Sequence, residues 1–291
     1  MLGEVLTAIV TPFRSDGGVD LERFRQLAAH LVDNGSDGLV VAGTTGEAPT
    51  LEDDERLALF AAAVETVGDR ARVVAGTGTY STAHSVHLTR EAAAVGVDGF
   101  LVVTPYYNKP PPAGIVAHFA AIAEVSTKPI IVYNIPQRVV INIEPETVAE
   151  LARIPSVSAV KQATTDLDQA RHIVELGLDL YAGNDDLILP FFELGGIGGV
   201  CVYTHVVGPQ VKEMVTQFAA GNHDAARAID ASLRPIADAL AVTTNPIPVK
   251  AALAMVGHDV GGIRLPLVPA TDDQQAVIRQ ALDQAGVLVP A

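Results

Sequence analysis

Short apolar, β-branched runs alternate along this chain with longer stretches in which apolar residues recur every three or four positions. The runs at 5–12, 38–43, 72–76, 100–104, 129–134, 157–161, 180–183 and 199–203 predict strands. The periodic stretches at 21–32, 52–67, 82–94, 113–125, 145–152, 167–176, 186–194 and 209–219 predict the helices between them. Most strand runs are apolar throughout, as expected when both faces of a sheet are covered. Parallel strands joined by right-handed helical crossovers close into a barrel once there are eight of them. The expected fold class is therefore α/β, a (β/α)8 TIM barrel over residues 1–220. A doubly wound open sheet is the alternative. It usually carries a glycine-rich turn after its first strand, and here Thr11-Pro12-Phe13 follows instead. Beyond residue 220 the pattern is helical only, at 224–240, 247–255 and 273–285. Residues 221–291 thus read as a C-terminal helical extension packed on the barrel without a linker.

Composition narrows the function. With 49% hydrophobic residues, 5% aromatics and no Trp, the large core must pack mainly through aliphatic side chains. A net charge of −15 argues against nucleic-acid binding, which needs clustered Lys and Arg. The one acidic run, Glu52-Asp53-Asp54-Glu55, reads as the solvated first turn of a helix. A single cysteine, Cys201, rules out an intramolecular disulfide framework and reads as packing. The beginning of the chain lacks a basic n-region, and no apolar stretch nears the roughly 20 residues that cross a bilayer. A soluble cytoplasmic protein is expected. The eight histidines form neither an H-x-H nor an H-E-x-x-H pattern, and His84 and His87 read as sharing an exposed helix face. No metal and no cofactor are expected.

Barrel enzymes carry their chemistry at the C-terminal ends of the strands. Five lysines are present, and only Lys161 lies in an apolar run that reads as a buried strand. A buried, unpaired ammonium tends to lose its proton, and a neutral lysine amine can form a Schiff base with a carbonyl. Taken alone, the position also fits a strand-end lysine paired with a carboxylate. Gly43-Thr44-Thr45-Gly46-Glu47 ends the second strand. Its glycines can allow a sharp turn, and its amides and hydroxyls can hold a carboxylate. A plain capped turn reads equally well. Tyr133 ends the fifth strand and offers a phenol for proton transfer, or a core hydroxyl on a carbonyl. Arg138 can grip a carboxylate with two hydrogen bonds, or make a surface ion pair. Tyr106 and Tyr107 precede Pro110-Pro111-Pro112, a stiff segment suited to presenting aromatics to a partner.

These segments together resemble the dihydrodipicolinate synthase family. Its members are the 4-hydroxy-tetrahydrodipicolinate synthases of lysine and diaminopimelate biosynthesis, within the pyruvate-dependent class I aldolases that include N-acetylneuraminate lyase. The resemblance rests on Gly43 to Glu47, Thr104-Pro105-Tyr106-Tyr107, Tyr133-Asn134-Ile135-Pro136 with Arg138, and Lys161. It extends to Asn245-Pro246-Ile247-Pro248-Val249-Lys250 and covers nearly the whole chain. It implies that Lys161 forms an imine with pyruvate and that Thr45 holds the pyruvate carboxylate. Tyr133, Thr44 and Tyr107 would form a proton relay, with Tyr107 reaching across from a neighbouring subunit. Arg138 would bind the carboxylate of aspartate semialdehyde, and Gly183 and Val200 would line the pyruvate pocket. It implies a homo-oligomer, a tetramer built from two tight dimers.

Two positions depart from the family pattern. Gln162 stands where an acidic residue is common, and strand alternation points it away from Lys161. Val139 stands where a hydroxyl residue is common. The resemblance also implies weak or absent feedback inhibition by lysine. His84 occupies the place of the acidic residue that receives the inhibitor's ammonium in lysine-sensitive relatives, with Tyr80 before it. Glu47 and Asp53 are acidic neighbours able to substitute. Two rival functions are another pyruvate-dependent aldolase, cleaving a sialic acid or a 2-keto-3-deoxy sugar acid, and a ligand-binding barrel without catalysis. Arg138 with Tyr107 speaks against the first, and the intact lysine, tyrosine and threonine set against the second.

Overall fold

A computed structural model describes residues 2–288. Eight parallel strands close a barrel in sequence order: β1 (Val5–Ala8), β2 (Gly38–Val41), β3 (Arg72–Gly76), β4 (Gly99–Val103), β5 (Ile130–Asn134), β6 (Val157–Gln162), β7 (Asp179–Ala182) and β8 (Gly198–Cys201). β8 returns to β1, with Leu6 level with Val200. The helices are α1 (Leu21–Asp33), α2 (Asp53–Val67), α3 (Thr82–Val95), α4 (Pro112–Ala123), α5 (Pro136–Val139), α6 (Pro145–Leu151), α7 (Leu167–Glu175), α8 (Ile188–Glu193) and α9 (Thr204–Ala219). α10 (His223–Leu240), α11 (Ile247–Met255) and α12 (Asp272–Gln284) follow the barrel. Among the described residues no helix is long and apolar enough to cross a membrane.

Side-chain alternation divides the apolar residues into two layers. Leu6, Ala8, Val40, Val74, Leu101, Ile131, Ala159, Tyr181 and Val200 fill the barrel interior. Their neighbours Leu39, Val73, Phe100, Val132, Val160 and Leu180 face outward and pack beneath the helices. Cys201 is buried in this outer layer, and burial pushes its thiol up, so it serves packing. Gln162 also points outward. It hydrogen-bonds to Asn134 and Gln169 outside the barrel, on the opposite side of the strand from Lys161.

The local structure departs from the sequence reading at several places. β1 ends at Ala8, although the Ile9 amide still donates to the Val40 carbonyl at 3.1 Å. A single helical turn, α5, follows β5 directly and carries Arg138. α9 begins at Thr204 and bends at Val207 (φ −132°, ψ 32°), two residues before Pro209, whose ring cannot continue a regular helix. The acidic run is more than a solvated face. Glu52 and Glu55 form a capping box at the start of α2. Asp53 pairs with His84 at 2.9 Å, and Glu55 pairs with Arg264. His87 is exposed, but His84 is therefore committed to Asp53.

Candidate active site

Lys161 and Tyr133 sit level on adjacent strands β6 and β5, both turned into the barrel. The Lys161 Nζ lies 4.1 Å from the centre of the Tyr133 ring. Only 6% of Lys161 is exposed, and among the described residues its amine meets no hydrogen-bond acceptor and no carboxylate. It opens onto a cavity of about 540 Å³ at the C-terminal end of the barrel. Thr44, Thr45, Tyr133, Arg138 and Gly183 share the wall of that cavity with Lys161.

The Thr44-Thr45 turn is tightly built. The amide of Glu47 donates to the Thr44 carbonyl at 3.1 Å, and the amide of Ala48 to that of Gly43 at 3.2 Å. The left-handed positions that bend the chain are Ala42 (φ 50°) and Glu47 (φ 58°), not the two glycines. Gly46 is needed for another reason: a Cβ there would lie 3.1 Å from Ala42 Cα and 3.2 Å from the Ile9 carbonyl oxygen. Gly183 is likewise a close-approach residue. A Cβ there would meet Ala163 Cβ at 2.7 Å, just past Lys161.

Arg138 reaches over the cavity from α5. Its guanidinium donates to Thr244 Oγ1 at 3.2 Å and to the Asn245 carbonyl at 3.3 Å. Both acceptors are uncharged, and among the described residues Arg138 makes no ion pair. Its charge is thus available to an anionic ligand. Asn245 also donates its side-chain amide to Thr45 Oγ1 at 2.7 Å. With that acceptor site filled, the Thr45 proton is free to point at a ligand oxygen. Asn245 thus touches both candidate carboxylate grips. In the sequence it stands only as part of a motif, because its position in the helical extension does not reveal that it enters the barrel mouth.

Asp185 is a second residue whose part the sequence left unread. Its carboxylate accepts from the amides of Val202 and Tyr203 at 2.8 and 2.7 Å. Burial pushes its carboxyl up to about 6, against the pull of those amides and of nearby Lys161. It ties the end of β7 to the end of β8 on the cavity wall. Two expected site residues stand elsewhere. Val200 lies in the interior layer beneath the cavity, and Val202, two positions on and on the same face, forms the wall. Tyr107 is 93% exposed at a positive φ of 69° and does not join this cavity. Among the described residues no three His, Cys, Asp or Glu side chains gather as a metal site.

Residues 1–285 match the model of the dihydrodipicolinate synthetase family. The 4-hydroxy-tetrahydrodipicolinate synthase of Moorella thermoacetica is 50% identical over 289 residues, covering 98% of this chain and 99% of that protein. That of Mycolicibacterium paratuberculosis is 48% identical, covering 99% and 96%. The dihydrodipicolinate synthase of Cyanidioschyzon merolae, solved with lysine bound, superposes with a TM-score of 0.96 at 43% identity, covering 99% of each chain. The chloride-inhibited enzyme of Acinetobacter baumannii, solved with pyruvate, also gives 0.96, at 34% identity over 99% of this chain and 100% of its own. Matched along nearly its whole length in sequence and in fold, the chain belongs to the dihydrodipicolinate synthetase family.

Proposed function

We propose that this protein condenses pyruvate with L-aspartate 4-semialdehyde through an imine on Lys161, giving 4-hydroxy-tetrahydrodipicolinate. The observation that carries the reading is an unpartnered, buried lysine amine facing a cavity beside a tyrosine ring. The amine attacks the pyruvate ketone, and water leaves as the imine forms. Loss of a methyl proton gives an enamine, whose carbon bonds to the aldehyde carbon of the second substrate. The second substrate's amino group then attacks the imine carbon and releases Lys161 as the ring closes. The imine is itself the electron sink for these steps, so no metal or organic cofactor is required.

The other groups divide the remaining tasks. Thr45, with its hydroxyl freed by Asn245, takes the pyruvate carboxylate. Arg138 takes the carboxylate of the semialdehyde, since a guanidinium on neutral partners can exchange them for a stronger charge-assisted pair. Tyr133 and Thr44 move protons at the imine, with Tyr107 from a neighbouring copy completing the relay. An exposed tyrosine on a left-handed turn, far from its own cavity wall, fits that use. The assembly proposed is a homo-oligomer, a tetramer of two tight dimers, acting in the cytoplasm. One solved relative at 39% identity is described as a monomeric variant. Named relatives at 46–50% identity favour the semialdehyde over a sugar acid. The test is borohydride reduction in the presence of labelled pyruvate. Label is expected on the peptide containing Lys161, and label elsewhere or nowhere sinks the mechanism.

A further inference from the structure

We propose that Glu47, Lys250 and Arg264 form a positioning clamp through which the C-terminal extension holds the Thr44-Thr45 turn in its pyruvate-binding shape. The inference rests on the reading that this turn receives the pyruvate carboxylate. Glu47 and Lys250 are outside the cavity wall, so neither is a catalytic residue.

Glu47 sits two residues past Thr45 in a left-handed conformation, φ 58° and ψ 34°. A non-glycine residue adopts that conformation only where its surroundings hold it. Its amide donates to the Thr44 carbonyl and its own carbonyl accepts from the Thr50 amide and hydroxyl, and its carboxylate adds contacts from the C-terminal extension. Lys250 Nζ pairs with Oε1 at 2.5 Å, and the Arg264 amide donates to Oε2 at 3.0 Å. The side chains of Glu47 and Lys250 are 1% and 6% exposed, so water does not compete for either. Lys250 Nζ also donates to the Gly262 carbonyl at 2.8 Å and lies 4.4 Å from the centre of the Phe13 ring. The Arg264 guanidinium stands over the same ring and bonds to the Thr50 carbonyl and to Glu55. Lys250 is five residues beyond Asn245, whose amide reaches Thr45. One segment of the extension thus contacts the turn at both Thr45 and Glu47.

A buried ion pair stabilises a fold little better than apolar residues of the same volume would. What it adds is placement, since the ammonium donates to the Gly262 carbonyl while lying against Glu47 Oε1, and the two contacts together leave it few positions. The contacts here restrict the one side chain whose backbone closes the turn, through its amide on the Thr44 carbonyl at 3.1 Å. Loosening the clamp should therefore disturb the carboxylate grip and leave the chemistry at Lys161 intact.

The experiment is steady-state kinetics of Lys250→Met beside borohydride trapping. The expected result is a KM for pyruvate raised about tenfold, with kcat and the KM for the semialdehyde held within about threefold. Saturating pyruvate should still label the variant. Glu47→Gln keeps the side-chain shape and carries the same test if Lys250→Met does not fold. An unchanged pyruvate KM in a folded variant overturns the clamp, as do parallel losses for both substrates. Failure of both variants to fold assigns the group to the fold alone and also overturns it. The two readings fail separately: an unlabelled wild-type protein defeats the imine, whereas a labelled wild type with normal variant KM defeats only the clamp.

Discussion

Lys161 and Lys250 are buried to nearly the same degree, 6% and 7% exposed, and their surroundings are opposite. Lys250 is enclosed by a carboxylate, a carbonyl and a ring face. Lys161 has a ring beside it and a cavity in front. At Lys250 burial is met by a carboxylate in direct contact, whereas at Lys161 no carboxylate is in contact and Asp185 acts only from a distance. An amine left uncompensated inside a cavity is poised to react, while a compensated one is fixed in place. Burial alone therefore does not mark a catalytic lysine; burial without a partner does.

The comparison is broken or sharpened most strongly by replacing both lysines with the same apolar side chain. Lys161→Met should lower turnover by about 1000-fold or more and abolish trapping with pyruvate. Its unfolding free energy should be unchanged or higher, because a buried amine without a partner is removed. A clear drop in Tm would mean that Lys161 is held by contacts after all. Lys250→Met should show the reverse pattern. Removing one member of a buried pair costs about 3–5 kcal/mol, read as a lower denaturant midpoint, while Lys161 remains reactive. Equal stability of the two variants would erase the distinction.

Arg138→Ala tests the second carboxylate grip at the open site. Losing a charge-assisted contact should cost about 2–4 kcal/mol, or roughly 30- to 1000-fold in kcat/KM for the semialdehyde. The rate of imine formation with pyruvate should change little. Equal losses in both steps would make Arg138 structural. Tyr107→Phe should lower turnover by about 10- to 100-fold. Mixing it with Lys161→Met should restore activity, since a mixed pair holds one site with Lys161 and a Tyr107 from the other chain. No gain on mixing would place Tyr107 outside the neighbouring site.

Asp185 makes the open site sensitive to pH. Its folded-state carboxyl is raised above the ordinary value, so its contribution to stability is full below that value and is lost as pH rises through about 6. The wild type should therefore lose about 2–3 kcal/mol relative to Asp185→Asn between pH 4 and pH 7. Parallel pH curves for the two proteins would show that Asp185 is not shifted. The smallest expected effect is that of L-lysine. Asp53 is already paired with His84, and Glu47 is enclosed with Lys250, so neither carboxylate is left for an incoming ammonium. Half-inhibition should lie above about 1 mM at saturating pyruvate, and a lower value would show another acceptor at work.

How far the chain could be read before its structure depends on the range of the forces involved. Strand and helix order and the eight-fold βα repeat that closes a barrel follow from periodicity, which is a local property. Candidate residues at strand ends follow too, because parallel strands in a closed barrel must present their C-terminal ends on one side. Contacts between distant segments are not encoded in any window of the sequence. Asn245 on Thr45 spans 200 residues, and Arg264 on Glu47 spans 217. Lys250 gave only a helical period, which says nothing of the carboxylate it would meet. Even Gly46 of the turn had its reason settled in three dimensions, by how closely another stretch of backbone passes to it. The sequence by itself determined the architecture and the candidate residues at the strand ends, while Asn245 and Val202 joined the barrel mouth only through the tertiary structure. Tertiary packing alone decided which buried lysine would be paired and which left open, because a counter-charge belongs to a place in space and not to a position along the chain.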